Sequence, residues 1–282
     1  MRLSLAEMGA NVLNTADGRA KTALSLQYAE AWQEGRAAGN MLDIGSALAP
    51  DHPARPKAPR LCAPKDVAKR KPGSPEGRIA LLHAVAHIEL NAVDLHWDII
   101  VRFSKTRLPT GFFDDWVQAA SEESKHFNLI CDCLENLGSF YGALSAHAGM
   151  WRAAQDTKTD LLGRLAVVPM VLEARGLDVT PNMIKKFKQA KETQAVEALE
   201  LIYSEEVTHV AYGSKWFNFL CGRLISDFGG GLPGRWGRCG GVRGGRFWEW
   251  IVFALNRTFG MRPRFNRDCF MNDIAFHARR RR

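Results

Sequence analysis

Between residues 77 and 221 the chain offers four long stretches of helical period, and each carries a glutamate inside the stripe it should bury. In the second stretch, steps of three and four link Trp116, Ala120, Glu123, Phe127, Ile130, Leu134 and Leu137. The fourth repeats the device through Leu199, Ile202, Glu206, His209, Gly213, Trp216 and Leu220. The first runs Leu82, Val85, Glu89, Ala92, His96, Ile99 and Phe103, and the third Leu162, Ala166, Pro169 and Glu173. The periods predict helices near 77–104, 111–138, 158–175 and 192–221, with a short helix after Pro181. Pro169 should kink or loosen the third. Strand signals are nearly absent, so the expected fold is all-α, a four-helix bundle. The long connection holding "YGALSAHAGMW" suits a crossover better than a tight hairpin.

A buried carboxylate is costly unless a cation or hydrogen-bond donor meets it. Here the problem is duplicated. "EESKH" at 122–126 and "EEVTH" at 205–209 are two copies of Glu-Glu-x-x-His, and the spacings from Glu89 to Glu123 and Glu173 to Glu206 are 34 and 33 residues. Two similar hairpins would each give one Glu and one Glu-x-x-His. Four carboxylates and two imidazoles meeting in a dry core would be neutralised by two divalent metals that the carboxylates bridge. The expected ligands are Glu89, Glu123, His126, Glu173, Glu206 and His209, the donor set of di-iron or di-manganese carboxylate bundles. Hard oxygen donors with one imidazole per metal suit two iron ions, or manganese, or a mixed Fe/Mn pair.

The bland reading of a single Glu-x-x-His is a satisfied salt bridge; the duplication is what argues against it. Glu122 and Glu205 lie about 40° around the helix from the histidine four residues later. They read either as solvated flanks or as acceptors for the ligand imidazoles' other N–H. His96, two turns after Glu89, either lines a cavity beside the metals or is an ordinary core histidine. His83 and His87 sit on a face rotated away from Glu89, where hydrogen bonding is the plainer expectation. His147 precedes Trp151 in a loop that would cover one bundle end.

The chain divides by composition into an N-terminal part (1–76), the bundle (77–221) and a tail (222–282). Residues 17–37 predict an amphipathic helix capped by Asp17. Seven of the twelve prolines then fall between Pro50 and Pro75, interleaved with Lys and Arg, as in an extended strap. Ten of the 25 glycines lie in 221–245, which reads as a flexible insertion or a mistranslated segment. The net charge of +8 is all in the tail: from 221 to 282 there are 13 Lys+Arg against 4 Asp+Glu. Such a tail attracts polyanions, nucleic acid among them, but says nothing about the bundle. Six cysteines without CxxC or framework spacing favour a reducing compartment. No apolar run reaches the ~18–20 residues a membrane span needs, and no signal-peptide core opens the chain. A cytoplasmic site follows, with a mitochondrial one as the alternative.

"GRIALLHAVAHIELNAVDLHWDII", "EESKHF", "DLLGRLAVVPMVLEARGLDVTP" and "EEVTHVAYGSKWF" resemble an uncharacterised family of ferritin-like proteins built on a domain of unknown function. The resemblance spans about residues 10–220 and resumes near "RPRFN" at 262–266. It implies a ferritin-like four-helix bundle with a di-metal centre, distantly similar to the di-iron hydroxylase acting on a modified adenosine in tRNA. The implied ligands fall on the same six residues. Ala148 stands where the family pattern leads one to expect an acid, and the glycine-rich stretch and "FWEWIVFALN" have no counterpart in it. The expected function is an oxidoreductase in which the di-iron centre itself activates O₂ to hydroxylate or desaturate a small-molecule or modified-nucleotide substrate. An external electron donor is required, because no nucleotide-binding glycine motif follows a strand. A ferroxidase or iron-binding protein without an organic substrate is the alternative.

Overall fold

The computed structural model describes residues 3–40, 43–63, 66 and 73–227. The predicted tail lies almost wholly outside them. Every regular element among the described residues is helical, and the one extended pairing is an isolated bridge between Leu61 and Ala146. No described helix is long and apolar enough to cross a membrane. The chain forms two compact units. The first comprises residues 1–158 and 178–205, the second 159–177 and the chain from 206 onward.

In the first unit, α1 (Leu5–Leu13) starts at Ser4, whose hydroxyl accepts from Glu7 N while the Glu7 carboxylate accepts from Ser4 N. Reciprocal capping of this kind lets nine residues hold as a helix. The sequence reading missed this helix, because nine residues give a periodic pattern too little length. The second helix, α2 (Gly18–Ala37), begins where Asp17 accepts from Ala20 N at 2.8 Å. The long pair α3 (Pro75–Arg102) and α4 (Thr110–Asn136) packs lengthwise. Ser74 caps α3 and Pro75 occupies its first turn, where the missing N–H costs nothing. α1 crosses α3 closely: a Cβ on Gly9 would stand 2.6 Å from Val101 Cγ2. At the far end, Leu82, Ala86 and Leu90 of α3 share a core with Phe127, Ile130 and Leu134 of α4, together with Phe187, Leu199 and Ile202.

The connection after α4 is not a bare crossover. It contains a loop and the short helix α5 (Gly149–Asp156), with Trp151 buried and its indole N–H donated to Asp51 O at 2.9 Å. In the second unit, α6 (Leu161–Val167) runs into a π-helical segment, Val168–Glu173. Pro169 lacks an N–H and its ring crowds the carbonyl four residues back, so the α pattern fails there. The predicted loosening is thus a wider turn that ends on Glu173. α7 (Ala174–Gln189) follows, longer than the short helix expected after Pro181, and then α8 (Thr193–Asp227).

Candidate metal centre

In the first unit α3 supplies Glu89 and α4 supplies Glu123 and His126. All three are buried: Glu89 is 3% exposed, the others 0%. One potential ligand atom from each lies within 4.8 Å of the other two. His126 Nδ1 stands 3.3 Å from Glu89 Oε2 and 3.4 Å from Glu123 Oε2. Its other nitrogen, Nε2, donates to Glu205 Oε2 at 2.6 Å, from the part of α8 that belongs to this unit. A carboxylate accepts only, so this contact fixes the proton on Nε2 and turns Nδ1 toward the two buried carboxylates.

The electrostatics of the group follow from its dryness. Burial pushes the Glu89 carboxyl well above the usual carboxylate range, and the charge of Glu123 pushes the same way. Burial also opposes charging His126, but the carboxylates of Glu123, Glu205 and Glu89 around it outweigh that and hold the imidazole well above its ordinary pKa. The Glu89 Oε2 atom has no hydrogen bond of good geometry despite being buried. A cation held among these groups would offset the charge that burial disfavours.

In the second unit the same donor set recurs. Glu173 ends the π-helical segment, and Glu206 and His209 lie one turn apart on α8. They are 5%, 7% and 0% exposed, again with ligand atoms within 4.8 Å of one another. His209 Nδ1 is 3.6 Å from Glu206 Oε2, repeating the relation of His126 to Glu123. The segment bearing Glu173 is seated against α8 at Gly213: a Cβ there would meet Pro169 Cγ at 2.6 Å.

The remaining residues singled out in the sequence are placed as follows. His96 stacks on Trp116, with centroids 5.3 Å apart, and its Nε2 is 3.7 Å from Glu123 Oε1, so it borders the first triad. Glu122 Oε1 accepts from Gln118 Nε2 at 2.6 Å. His83 and His87 bind the loop after α4: His83 Nε2 accepts from Gly142 N at 3.0 Å, and His87 contacts Tyr141 Oη at 2.8 Å and His147 O at 3.0 Å. The buried ion pair of Lys21 with Asp94 was not foreseen. Lys21 sits in an otherwise ordinary amphipathic helix, and nothing in its local pattern distinguishes it from a solvated lysine.

A family profile described as "Protein of unknown function (DUF455)" matches residues 14–228. An uncharacterised protein of Haemophilus influenzae is 46% identical over 170 residues, covering 58% of this chain and 59% of the relative. The chain therefore spans about three-fifths of that relative's length. No solved structure matches.

Proposed function

This chain belongs to the DUF455 family of proteins of unknown function, and from its own buried chemistry we propose a carboxylate-bridged di-metal oxidoreductase on a ferritin-like helical bundle. The observation that carries the reading is the repetition of one buried triad, a Glu joined by a Glu-x-x-His, in each compact unit. The pairing of the two triads into a single centre rests on the repeat in the sequence. The donors fit hard divalent ions: two carboxylates and one imidazole per triad, no thiolate, and a buried Glu89 oxygen whose 3.3 Å contact with His126 Nδ1 lacks hydrogen-bond geometry. Two iron ions held by these residues would supply O₂ activation for hydroxylation or desaturation of a C–H bond, with electrons from an external donor.

The chain's own residues would do the rest. Glu89, Glu123, Glu173 and Glu206 provide the negative charge, and His126 and His209 provide one neutral nitrogen each. Glu205 holds the Nε2 proton of His126 and so keeps Nδ1 available as a lone pair, a role that orients a ligand and raises its basicity. The near-complete burial of the triads excludes bulk water. His96, packed against Trp116, closes the first triad beside Glu123.

Metal analysis of protein purified without oxygen tests the proposal. About two iron or manganese ions per chain are expected. Fewer than about one, unrestored by added Fe(II), sinks the metal centre and the activity with it. A fully loaded, reduced protein that consumes no O₂ would sink the oxidoreductase alone.

A further inference from the structure

A small pocket opens between the proline-rich strap and α3, lined by Arg55, Pro56, Pro59, Leu61, His87 and Tyr141. It is shallow and open to solvent on one side. Drug-sized ligands need sites of ~300 Å³ or more, so only the charged end of a ligand would enter this one. Its walls are fixed. Ala54 N donates to Leu13 O at 2.7 Å, Cys62 N to Ala146 O at 2.8 Å, and Arg102 Nη2 to Pro50 O at 3.0 Å. These bonds pin the strap on both sides of the pocket.

The charge in the pocket does not balance. Arg55, only 19% exposed, donates through Nη2 to Asn91 Oδ1 at 2.7 Å, and the same nitrogen is 3.9 Å from Asp94 Oδ2. Its Nε and Nη1 have no partner among the described residues. Asp94 is already matched by Lys21, which also donates to Ala54 O at 3.0 Å. Two cations thus share one carboxylate, and among the described residues no acidic side chain lines the pocket. The histidine does not alter the sum. His87 Nε2 faces the His147 carbonyl, which only accepts, so Nδ1 is left to accept from the Tyr141 hydroxyl.

We propose that this pocket is an oxyanion-binding site, in which Arg55 uses Nε and Nη1 to hold a carboxylate or phosphate whose apolar stem lies against Pro59, Leu61 and the Tyr141 ring. A guanidinium held by a second-layer carboxylate and amide is pre-organised for this, and it presents a planar pair of donors to an oxyanion. The site is separate from the metal triads and does not depend on them.

Titration of the full chain with benzoate and, separately, phenyl phosphate at constant ionic strength tests it, read by NMR at the Arg55 Nε–H and the Tyr141 ring. Saturable shifts at both are expected, weakened about tenfold or more in Arg55→Gln. Binding of benzoate alone identifies a carboxylate site, and of phenyl phosphate alone a phosphate site; either supports the oxyanion pocket. Leu61→Trp, which fills the mouth and leaves Arg55 intact, should block both probes and decides the matter if Arg55→Gln does not fold. The proposal is overturned if neither probe gives a saturable shift, or if a folded Arg55→Gln or Leu61→Trp protein binds as the parent does.

Discussion

His126 is surrounded by three carboxylates, and only one of them takes its outward proton. Because Glu205 accepts from Nε2 at 2.6 Å, the other nitrogen is committed to the interior. Glu205→Gln keeps an acceptor oxygen but removes the charge that raises the imidazole's basicity. Metal affinity of this triad should fall about 10–100-fold, as measured by competition with a chelator; unchanged affinity would deny Glu205 its supporting role. The cysteines allow a second prediction at this scale. Burial pushes the Cys131 thiol up to about 12 and Cys133 up to about 11. Both acids are raised in the folded state, so the stability gained by burying them neutral is present below pH ~9 and is lost as pH climbs toward those values. At pH 8 their thiolate fraction is negligible and both are covered, whereas Cys62 is half-exposed. Alkylation of the native protein followed by peptide mapping should label Cys62 and spare Cys131 and Cys133 until denaturant is added. Early labelling at Cys131 would contradict the packing of α4.

At the scale of elements, the π-helical segment decides where Glu173 points. Its register depends on Pro169, which breaks the α pattern, and on Gly213, which leaves room for the proline ring. Gly213→Ala puts a methyl 2.6 Å from Pro169 Cγ, so the segment must move. A cost of about 1–3 kcal/mol is expected for such overpacking, together with loss of metal from the Glu173 triad. Gly9→Ala is the matched control. Its added methyl lies 2.6 Å from Val101 Cγ2, in the α1–α3 crossing and away from any triad. It should destabilise by a similar amount and leave metal content unchanged. Equal metal loss in both variants, measured beside urea melts, would mean that Gly213 acts through stability alone. The sequence foretold a disturbance at Pro169 but not its form, because proline removes one hydrogen bond without saying how the neighbours rearrange. The residues of the two buried triads were more legible. A carboxylate in an apolar stripe contradicts its own helix, and Glu89, Glu123, Glu173 and Glu206 could be picked out on that conflict alone.

At the scale of the whole molecule, α3, α4 and α8 were readable because each stripe runs through seven residues, whereas α1 and α5 are too short to show a period. What no local pattern reveals is how distant segments are tied together. Lys21 on α2 and Asp94 on α3 form an ion pair in which each side chain is 1% exposed, and Lys21 also donates to Ala54 O in the strap. One ammonium thereby joins α2, the strap and α3 of the same unit. Desolvation pulls the Lys21 pKa down and the Asp94 pKa up, and their mutual attraction works against both shifts. Removing Asp94 strands Lys21 in the interior, and removing Lys21 leaves Asp94 only the longer contact with Arg55 at 3.9 Å. Lys21→Met should therefore cost about 3–5 kcal/mol, while the double variant Lys21→Met/Asp94→Leu should recover at least half of that loss, since a buried pair contributes less than its breakage costs. Urea denaturation of the parent, both single variants and the double variant gives the coupling directly. If Lys21→Met unfolds within about 1 kcal/mol of the parent, the pair is not the tie it looks to be. The strap would then be held by its backbone bonds to Leu13 and Ala146.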